Sequence, residues 1–334
     1  MALASLTGLN KYLSLTIVVV LMLVLAYFGH NLIQLFERFA APVLTVVFVV
    51  GGIVILSKAH VSNPGTGAFP GAWWVLLGAT FGYAAGWNPY ASDYTRYLPS
   101  GTGRSAGIFA ALGVLVSCVL LETFGAAAYV VLAGESPGFP DPGAYTSVLP
   151  TWLGKLTLLG IALGAIAANA LNVYSSALSF TAMGISIKAP SLRAVVAVVM
   201  GIIGFVVAIV ALDHISSYEG FLLVISYWIG PWLGVVFTDR VLRRWRPNET
   251  VYTDRGYRNW AGPIAMFVSA VVSIVLFSNQ SFYVGVIPKH VAPAIGDLTF
   301  EVGFVLAVVL YAALVKSLAK PLTIAEPDVV AARR

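Results

Sequence analysis

Two asparagines lie close together in a long apolar stretch of the sequence, where polar side chains are rare. Asn169 and Asn172 are three residues apart, so on a helix they share one face, and Ser176 lies on the same side one turn beyond Asn172. A carboxamide carries both a donor and an acceptor, which suits the edge of a base or a ureide. The pattern predicts either a binding site for such a ring or hydrogen bonds between helices, each worth ~1 kcal/mol.

A second group of polar and aromatic residues follows a helix-breaking pair between residues 86 and 99. Pro89 cannot donate a backbone hydrogen bond, and Gly86 lacks the side chain that favours a regular helix. Together they predict an interrupted helix, whose unpaired backbone groups are tolerated at membrane depth only beside a cavity. Trp87 at the break offers a flat aromatic face to a planar ligand, and Asn88 offers a further amide.

The same segment also has a purely structural interpretation. Trp87 and Tyr90 are typical of the aromatic belt at a membrane surface. Asp93 lies three residues before Arg96, so the two side chains are close enough for an ion pair at the cytoplasmic surface. Both interpretations stay open on the residues alone.

Glu122 is an acidic residue within the apolar sequence of residues 120–124. An ionised, unpaired carboxylate would be costly in lipid, so Glu122 is expected to be protonated, to face a cavity or to have a partner. A proton-relay role and a structural hydrogen bond both fit.

The sequence has no enzyme motif of the HExxH, GxSxG or Gly-rich phosphate-loop type, and the single Cys118 excludes a multi-cysteine metal site. No metal site is predicted, because the histidines are scattered near the ends of apolar stretches: His30, His60, His214 and His290.

Membrane-spanning helices are the elements that must position these residues. Of the 334 residues, 59% are hydrophobic and 10% charged, against about 25% charged residues in soluble domains. A soluble core could not bury this much apolar surface, so an all-α integral membrane protein is predicted, with residues 1–320 as a single polytopic domain. Nine stretches are expected to cross the bilayer, at residues 12–35, 41–57, 70–91, 105–133, 152–184, 192–212, 217–238, 260–282 and 301–318.

The distribution of Lys and Arg predicts the orientation of the chain. Most of the 19 basic residues fall in alternate connections, and the exceptions are Lys11, Lys58, Lys155 and Lys289. Because basic loops stay in the cytoplasm, the N-terminus is predicted outside the cell (plasma) membrane and the C-terminus inside, with residues 321–334 as a short cytoplasmic tail. This topology explains the net charge of +5, so no nucleic-acid partner is predicted.

The stretch Gly86–Pro99 resembles the signature segment of the nucleobase:cation symporter family, the purine/cytosine permeases. Three further segments resemble the same family: Asn169–Ser176, Tyr218–Trp232 and Phe36–Arg38. The resemblance covers about residues 10–320. It implies twelve helices in a leucine-transporter-type inverted-repeat fold, in which the nine predicted spans correspond to helices 4–12. The first three helices of the family are therefore expected to be absent from this chain.

The resemblance also implies roles for individual residues in binding a nucleobase such as cytosine or a purine. Trp87 is expected to stack on the ring of the substrate. Asn169 or Asn172 is expected to bond its polar edge, and the Ala-Ala pair that precedes Asn169 favours that residue. Asn88 and Ser176 are weaker candidates for the same site.

Transport driven by a cation gradient is a further implication of the resemblance. Asp93 and Arg96 are expected to pin the cytoplasmic end of the interrupted helix, and the helix that carries Tyr218 is expected to act as a gate. Sodium-coupled relatives place hydroxyl side chains one to two turns before the asparagine of the eighth helix, whereas residues 160–168 contain none. A proton is therefore expected as the coupling cation in preference to sodium, with Glu122 as a candidate proton site and without any cofactor.

Two other functions stay open at this point. A permease for allantoin, hydantoin, uracil or a vitamin would use the same fold. A truncated chain without the first three helices is also compatible with a non-transporting membrane remnant. An enzyme is not predicted, and the residues do not define an oligomeric state.

Overall fold

The computed structural model of the protein describes residues 1–60, 70–132, 141–183, 192–211, 217–244 and 256–319, so the predicted tail lies outside the described residues. Apart from two isolated bridges, the regular structure of these residues is helical. Six helices are long and apolar enough to cross a membrane, and two shorter apolar helices accompany them. The all-α prediction is confirmed, and the long apolar helices fit an integral membrane protein.

Each predicted span overlaps one of the longer helices. These are α2 (Lys11–Phe28), α3 (His30–Lys58), α4 (Ala72–Ala85), α6 (Gly103–Leu132), α8 (Thr151–Ala182), α9 (Leu192–Ala211), α10 (Ser217–Leu242), α11 (Ala261–Phe277) and α13 (Thr299–Leu318). Short helices precede or separate them, namely α1 (Ala2–Thr7), α5 (Ala91–Thr95), α7 (Pro142–Ser147) and α12 (Val286–His290).

The predicted boundary between the first two spans is wrong. α2 ends at Phe28, Gly29 has a positive φ of 77°, and α3 begins at the next residue. Residues 36–40, predicted as a connection with Arg38 in it, therefore lie inside α3, and the helix also continues through Pro42. Glycine accepts positive φ without steric cost and so ends α2, whereas the proline removes only one backbone donor from a long helix.

The chain divides into two compact units, one formed by residues 1–67 and 88–217 and the other by residues 68–87 and 218–334. In the first unit, α8 packs against α1, α2, α3, α7 and α9, while α6 packs against α3 and is mostly exposed. Apolar side chains from α2, α3, α8 and α9 form its largest core, which includes Ile33, Ile166, Ala170, Tyr174 and Val196. The single domain over residues 1–320 stays a prediction.

Glycines in the second unit allow helices to pack backbone to backbone. A Cβ atom at Gly82 of α4 would lie 2.1 Å from the carbonyl oxygen of Leu222 in α10. A Cβ atom at Gly234 of α10 would lie 2.6 Å from the carbonyl oxygen of Phe304 in α13, and α13 in turn packs along α11. Small residues at such crossings permit close van der Waals contact, on which helix association in a bilayer depends.

Gly82→Ala is expected to destabilise the second unit by about 1–3 kcal/mol, because the added methyl group meets backbone atoms that no side-chain rotation can move away. We expect a lower midpoint of thermal unfolding in detergent. Gly113→Ala in α6 is the matched control, since a Cβ atom at Gly113 meets no atom within 4 Å. Equal midpoints for the two variants would contradict the close approach of α4 to α10.

A buried carboxylate lies in the connection between α11 and α13. Asp297 is 1% exposed. It accepts hydrogen bonds from the hydroxyl of Tyr227 in α10 and from the backbone N–H groups of Asn279 and Thr299, the latter two at 2.7 and 3.0 Å. The amide of Gln280 donates in turn to the Tyr227 hydroxyl at 3.1 Å. Asp297 therefore ties α10 and the residues after α11 to the start of α13.

Candidate functional site

The helix break predicted from Gly86 and Pro89 is present. α4 ends at Ala85, a 3-10 turn covers Asn88–Tyr90, and α5 follows directly. The N–H of Gly86 still donates to the carbonyl oxygen of Gly82 at 3.1 Å, but Pro89 has no N–H to continue the pattern. The prediction of an interrupted helix is therefore confirmed.

The residues at the break are divided between the two units. Trp87 is half-buried and is the last residue of its stretch in the second unit, whereas the exposed Asn88 begins the next stretch of the first unit. Further along, Asp93 is half-buried and Arg96 is exposed. No ion pair joins these two side chains within the described part of the chain, and their pinning role stays a prediction.

The polar face predicted on α8 lies within one continuous helix. Asn169 is exposed, and its amide nitrogen donates to the carbonyl oxygen of Ala165 at 2.9 Å. Ser176 donates its hydroxyl to the backbone carbonyl oxygen of Asn172 at 2.7 Å. The half-buried side chain of Asn172 has no hydrogen bond to the residues that the structure describes. Of the two carboxamides, that of Asn172 keeps the larger hydrogen-bonding capacity for a ligand.

Two tyrosines that the sequence analysis does not single out connect the segment after the break to α8. The hydroxyl of Tyr94 lies 3.0 Å from Ser175 Oγ and donates to the carbonyl oxygen of Leu171 at 3.3 Å. The hydroxyl of Tyr97 lies 2.6 Å from that of Tyr174. These contacts attach the second half of the discontinuous helix to the helix that carries both asparagines.

A signal for these tyrosines is present in the sequence. Tyr90, Tyr94 and Tyr97 recur at intervals of four and three residues, as side chains on one helix face do. The ring of Tyr97 also stacks on the imidazole of His30 at the start of α3, with ring centroids 4.1 Å apart. Pro89 ends the regular helix just before these tyrosines, so the pattern of the preceding span does not continue into them.

Two further predicted residues lie on other helices. Glu122 lies on the exposed side of α6, and its role as a proton site stays a prediction. Tyr218 belongs to α10, but its side chain lies outside the described residues.

The buried hydroxyl of Thr157 lies one turn before the stretch 160–168 of α8. It donates a hydrogen bond to the carbonyl oxygen of Leu153 in the same helix. The described residues contain no group of three metal-ligating side chains.

A second polar cluster holds the C-terminal end of α10. The carboxylate of Asp239 accepts hydrogen bonds from Arg243 Nε at 2.7 Å and from the hydroxyl of Tyr311 at 2.6 Å. The guanidinium of Arg243 also donates to the hydroxyl of Tyr257 at 3.0 Å. Burial lowers the pKa of Arg243, but the hydrogen bonds with Asp239 and Tyr257 outweigh this effect and hold the pKa above its usual value. α10 is thereby fixed to α13 at this end.

The six long apolar helices fit a multi-pass membrane protein, and a helix break such as that between α4 and α5 is typical of transporters. Residues 3–303 match the family described as permeases for cytosine/purines, uracil, thiamine and allantoin. The chain therefore belongs to this family of transporters and is not an enzyme. The predicted resemblance to purine/cytosine permeases is confirmed.

Two relatives show how far the similarity extends. The chain is 27% identical over 317 residues to the purine-cytosine permease FCY2 of Saccharomyces cerevisiae. It is 28% identical over 321 residues to the purine-cytosine permease fcyB of Emericella nidulans. The alignments cover 85% and 90% of this chain, but only 57% and 62% of the two relatives. No solved protein structure is significantly similar to the chain.

Proposed function

We propose that the protein is a secondary active transporter that imports a nucleobase, such as cytosine or a purine, together with a cation by alternating access. The family match over residues 3–303 carries this proposal. The discontinuous helix and the amide face of α8 support it, because a nucleobase is a flat ring with donors and acceptors along its edge. Such a substrate needs an aromatic face and carboxamides from the protein.

Each candidate residue has one role in this proposal. Trp87 stacks on the ring of the nucleobase, and Asn172 and Asn169 bond its edge. Asn88 and Ser176 support the same site. The nine longer helices take the places of helices 4–12 in a leucine-transporter-type inverted-repeat fold, with the N-terminus outside the cell and the C-terminus in the cytoplasm.

A proton is the proposed coupling cation. A sodium ion requires a shell of oxygen ligands, and hydroxyl side chains are one source of them. Residues 160–168 of α8 contain no hydroxyl side chain, and Thr157 lies more than three helical turns before Asn169. Uptake is therefore expected to rise as the external pH falls and to be unchanged when sodium is replaced by choline.

Asn172→Ala is expected to raise the KM for nucleobase uptake by about 5- to 100-fold, because a donor and an acceptor facing the substrate are both lost. Asn169→Ala is expected to raise it by only about two- to tenfold, since one of its amide protons is already engaged by Ala165 O. Initial rates of radiolabelled cytosine uptake over a range of concentrations give both values.

Asn31→Ala is the matched control for these two variants, because it removes an exposed amide from α3. It is expected to leave the KM unchanged. A larger rise in KM for Asn169→Ala than for Asn172→Ala would show that Asn169 makes the main contact with the edge of the substrate. Kinetics equal to those of the control in both variants would remove the amide face of α8 from the site.

Uptake of radiolabelled cytosine and adenine into cells without their own permeases tests the proposed function directly. The 334-residue chain is compared with the product of any longer reading frame that encodes it, at two pH values and with or without sodium, after each protein has been verified in the membrane. Saturable uptake, with competition by unlabelled nucleobases, is the expected result. Competition by allantoin, uracil or thiamine alone would reassign the substrate, and absence of uptake in both forms would support a non-transporting membrane protein.

A further inference from the structure

The second half of the discontinuous helix cannot hold its own position. α5 has five residues, and a helix this short is unstable in isolation because its first turn fixes several backbone angles for one hydrogen bond. The residues before α5 form only a 3-10 turn. The placement of residues 88–95 in the first unit must therefore depend on side chains that contact longer helices.

Tyr94 provides such a contact with α8. Its ring packs against the apolar core formed by α2, α3, α8 and α9. Its hydroxyl lies 3.0 Å from the hydroxyl of Ser175, which is 0% exposed, and donates to the carbonyl oxygen of Leu171. Tyr97, two residues after the end of α5, adds a second attachment through the buried Tyr174, so that residues 94–97 are fixed to α8 at two points.

Tyr94 contacts the turn of α8 that runs from Leu171 to Ser175. Leu171 immediately precedes Asn172, and Ser175 follows Asn172 by three residues. Leu171 and Ser175 share one face of the helix, while Asn172 and Ser176 share the adjacent face. The hydroxyl of Tyr94 therefore binds the turn that carries the carboxamide to which the proposed function assigns edge recognition.

We propose that Tyr94 and Ser175 form a positioning pair, in which the hydrogen bond between their hydroxyls sets the register of Asn88 and α5 against Asn172 of α8. The pair does not touch the substrate. It fixes the arrangement of groups that do, so its removal weakens binding without changing the chemistry of the amide face. This inference rests on the proposed function for its effect on transport, whereas its structural part is measurable without any substrate.

The test uses Tyr94→Phe, Ser175→Ala and the double variant, each with two measurements. Hydrogen–deuterium exchange of the backbone amides of residues 88–97 is expected to become faster in all three variants, while the midpoint of global unfolding stays within the range of the controls. The KM for nucleobase uptake is expected to rise about two- to tenfold in each single variant, with an unchanged maximal rate per inserted molecule. The double variant is expected to show no more than the larger single effect, because both substitutions remove the same hydrogen bond.

Two matched controls remove hydroxyl groups from exposed side chains of the same unit. Tyr27→Phe does so on α2, and Ser179→Ala does so on α8 one turn after Ser175. The positioning pair would be contradicted if the variants had the same exchange rates at residues 88–97 and the same KM as the controls. Additive effects in the double variant would contradict it as well. Absence of uptake by the unsubstituted protein would instead overturn the proposed function, and the exchange rates would still decide whether Tyr94 and Ser175 hold α5.

Discussion

Trp87→Ala is expected to lower nucleobase uptake by about 5- to 150-fold while leaving the protein inserted in the membrane. Trp87 lies half-buried between the end of α4 and the 3-10 turn, where a change of side chain interrupts no regular helix. Stacking of a base on an aromatic side chain is worth about 1–3 kcal/mol, so its loss weakens binding by about 5- to 150-fold. When the substrate concentration is below the KM, the uptake rate falls by the same factor as the affinity for the substrate.

The measurement is the initial rate of radiolabelled cytosine uptake, normalised to the amount of protein in the membrane. Trp73→Ala is the matched control, because Trp73 lies in α4, the helix that precedes Trp87, and is 69% exposed. It is expected to transport at the unsubstituted rate, and Trp87→Phe is expected to keep part of the uptake, since a smaller aromatic face remains. Unchanged kinetics in Trp87→Ala would remove Trp87 from the site.

Asp297→Ala is expected to lower the free energy of unfolding by about 3–5 kcal/mol, the largest effect on stability among these variants. The substitution removes the acceptor for the Tyr227 hydroxyl and for two backbone N–H groups in a place that water does not reach. Each buried donor left without an acceptor costs its full desolvation penalty. We expect a loss of folded protein in detergent and a lower midpoint of thermal unfolding.

Asp141→Ala is the matched control for this prediction. Asp141 accepts one hydrogen bond, from the N–H of Ala144 at 2.8 Å, as the N-cap of α7. Loss of such a cap costs about 1 kcal/mol. Tyr227→Phe is expected to fall between the two, because the Asp297 carboxylate then keeps its two backbone donors. Equal changes in the midpoint for Asp297→Ala and Asp141→Ala would contradict a central role for Asp297.

The helix break could be predicted because its causes are local. Gly86 and Pro89 act on the backbone of their own turn, and the structure has the break at that place. The shared face of Asn169 and Asn172 follows in the same way from the period of the helix. The boundary between the first two spans is not predictable in this way, because the charged residues Glu37 and Arg38 suggest a connection, whereas the backbone turns at Gly29.

The sequence by itself determined the membrane class through its composition, the family through its signature segments, and the candidate ring-binding residues through their spacing. Only the tertiary structure decided which side chains hold these elements in place. Tyr94 meets Ser175 across 81 residues of chain, and Tyr227 meets Asp297 across 70. Such pairs depend on how whole helices pack against each other. The apolar pattern that directs a helix into a membrane does not determine this packing, because an apolar side chain is solvated almost equally well by lipid and by a neighbouring helix.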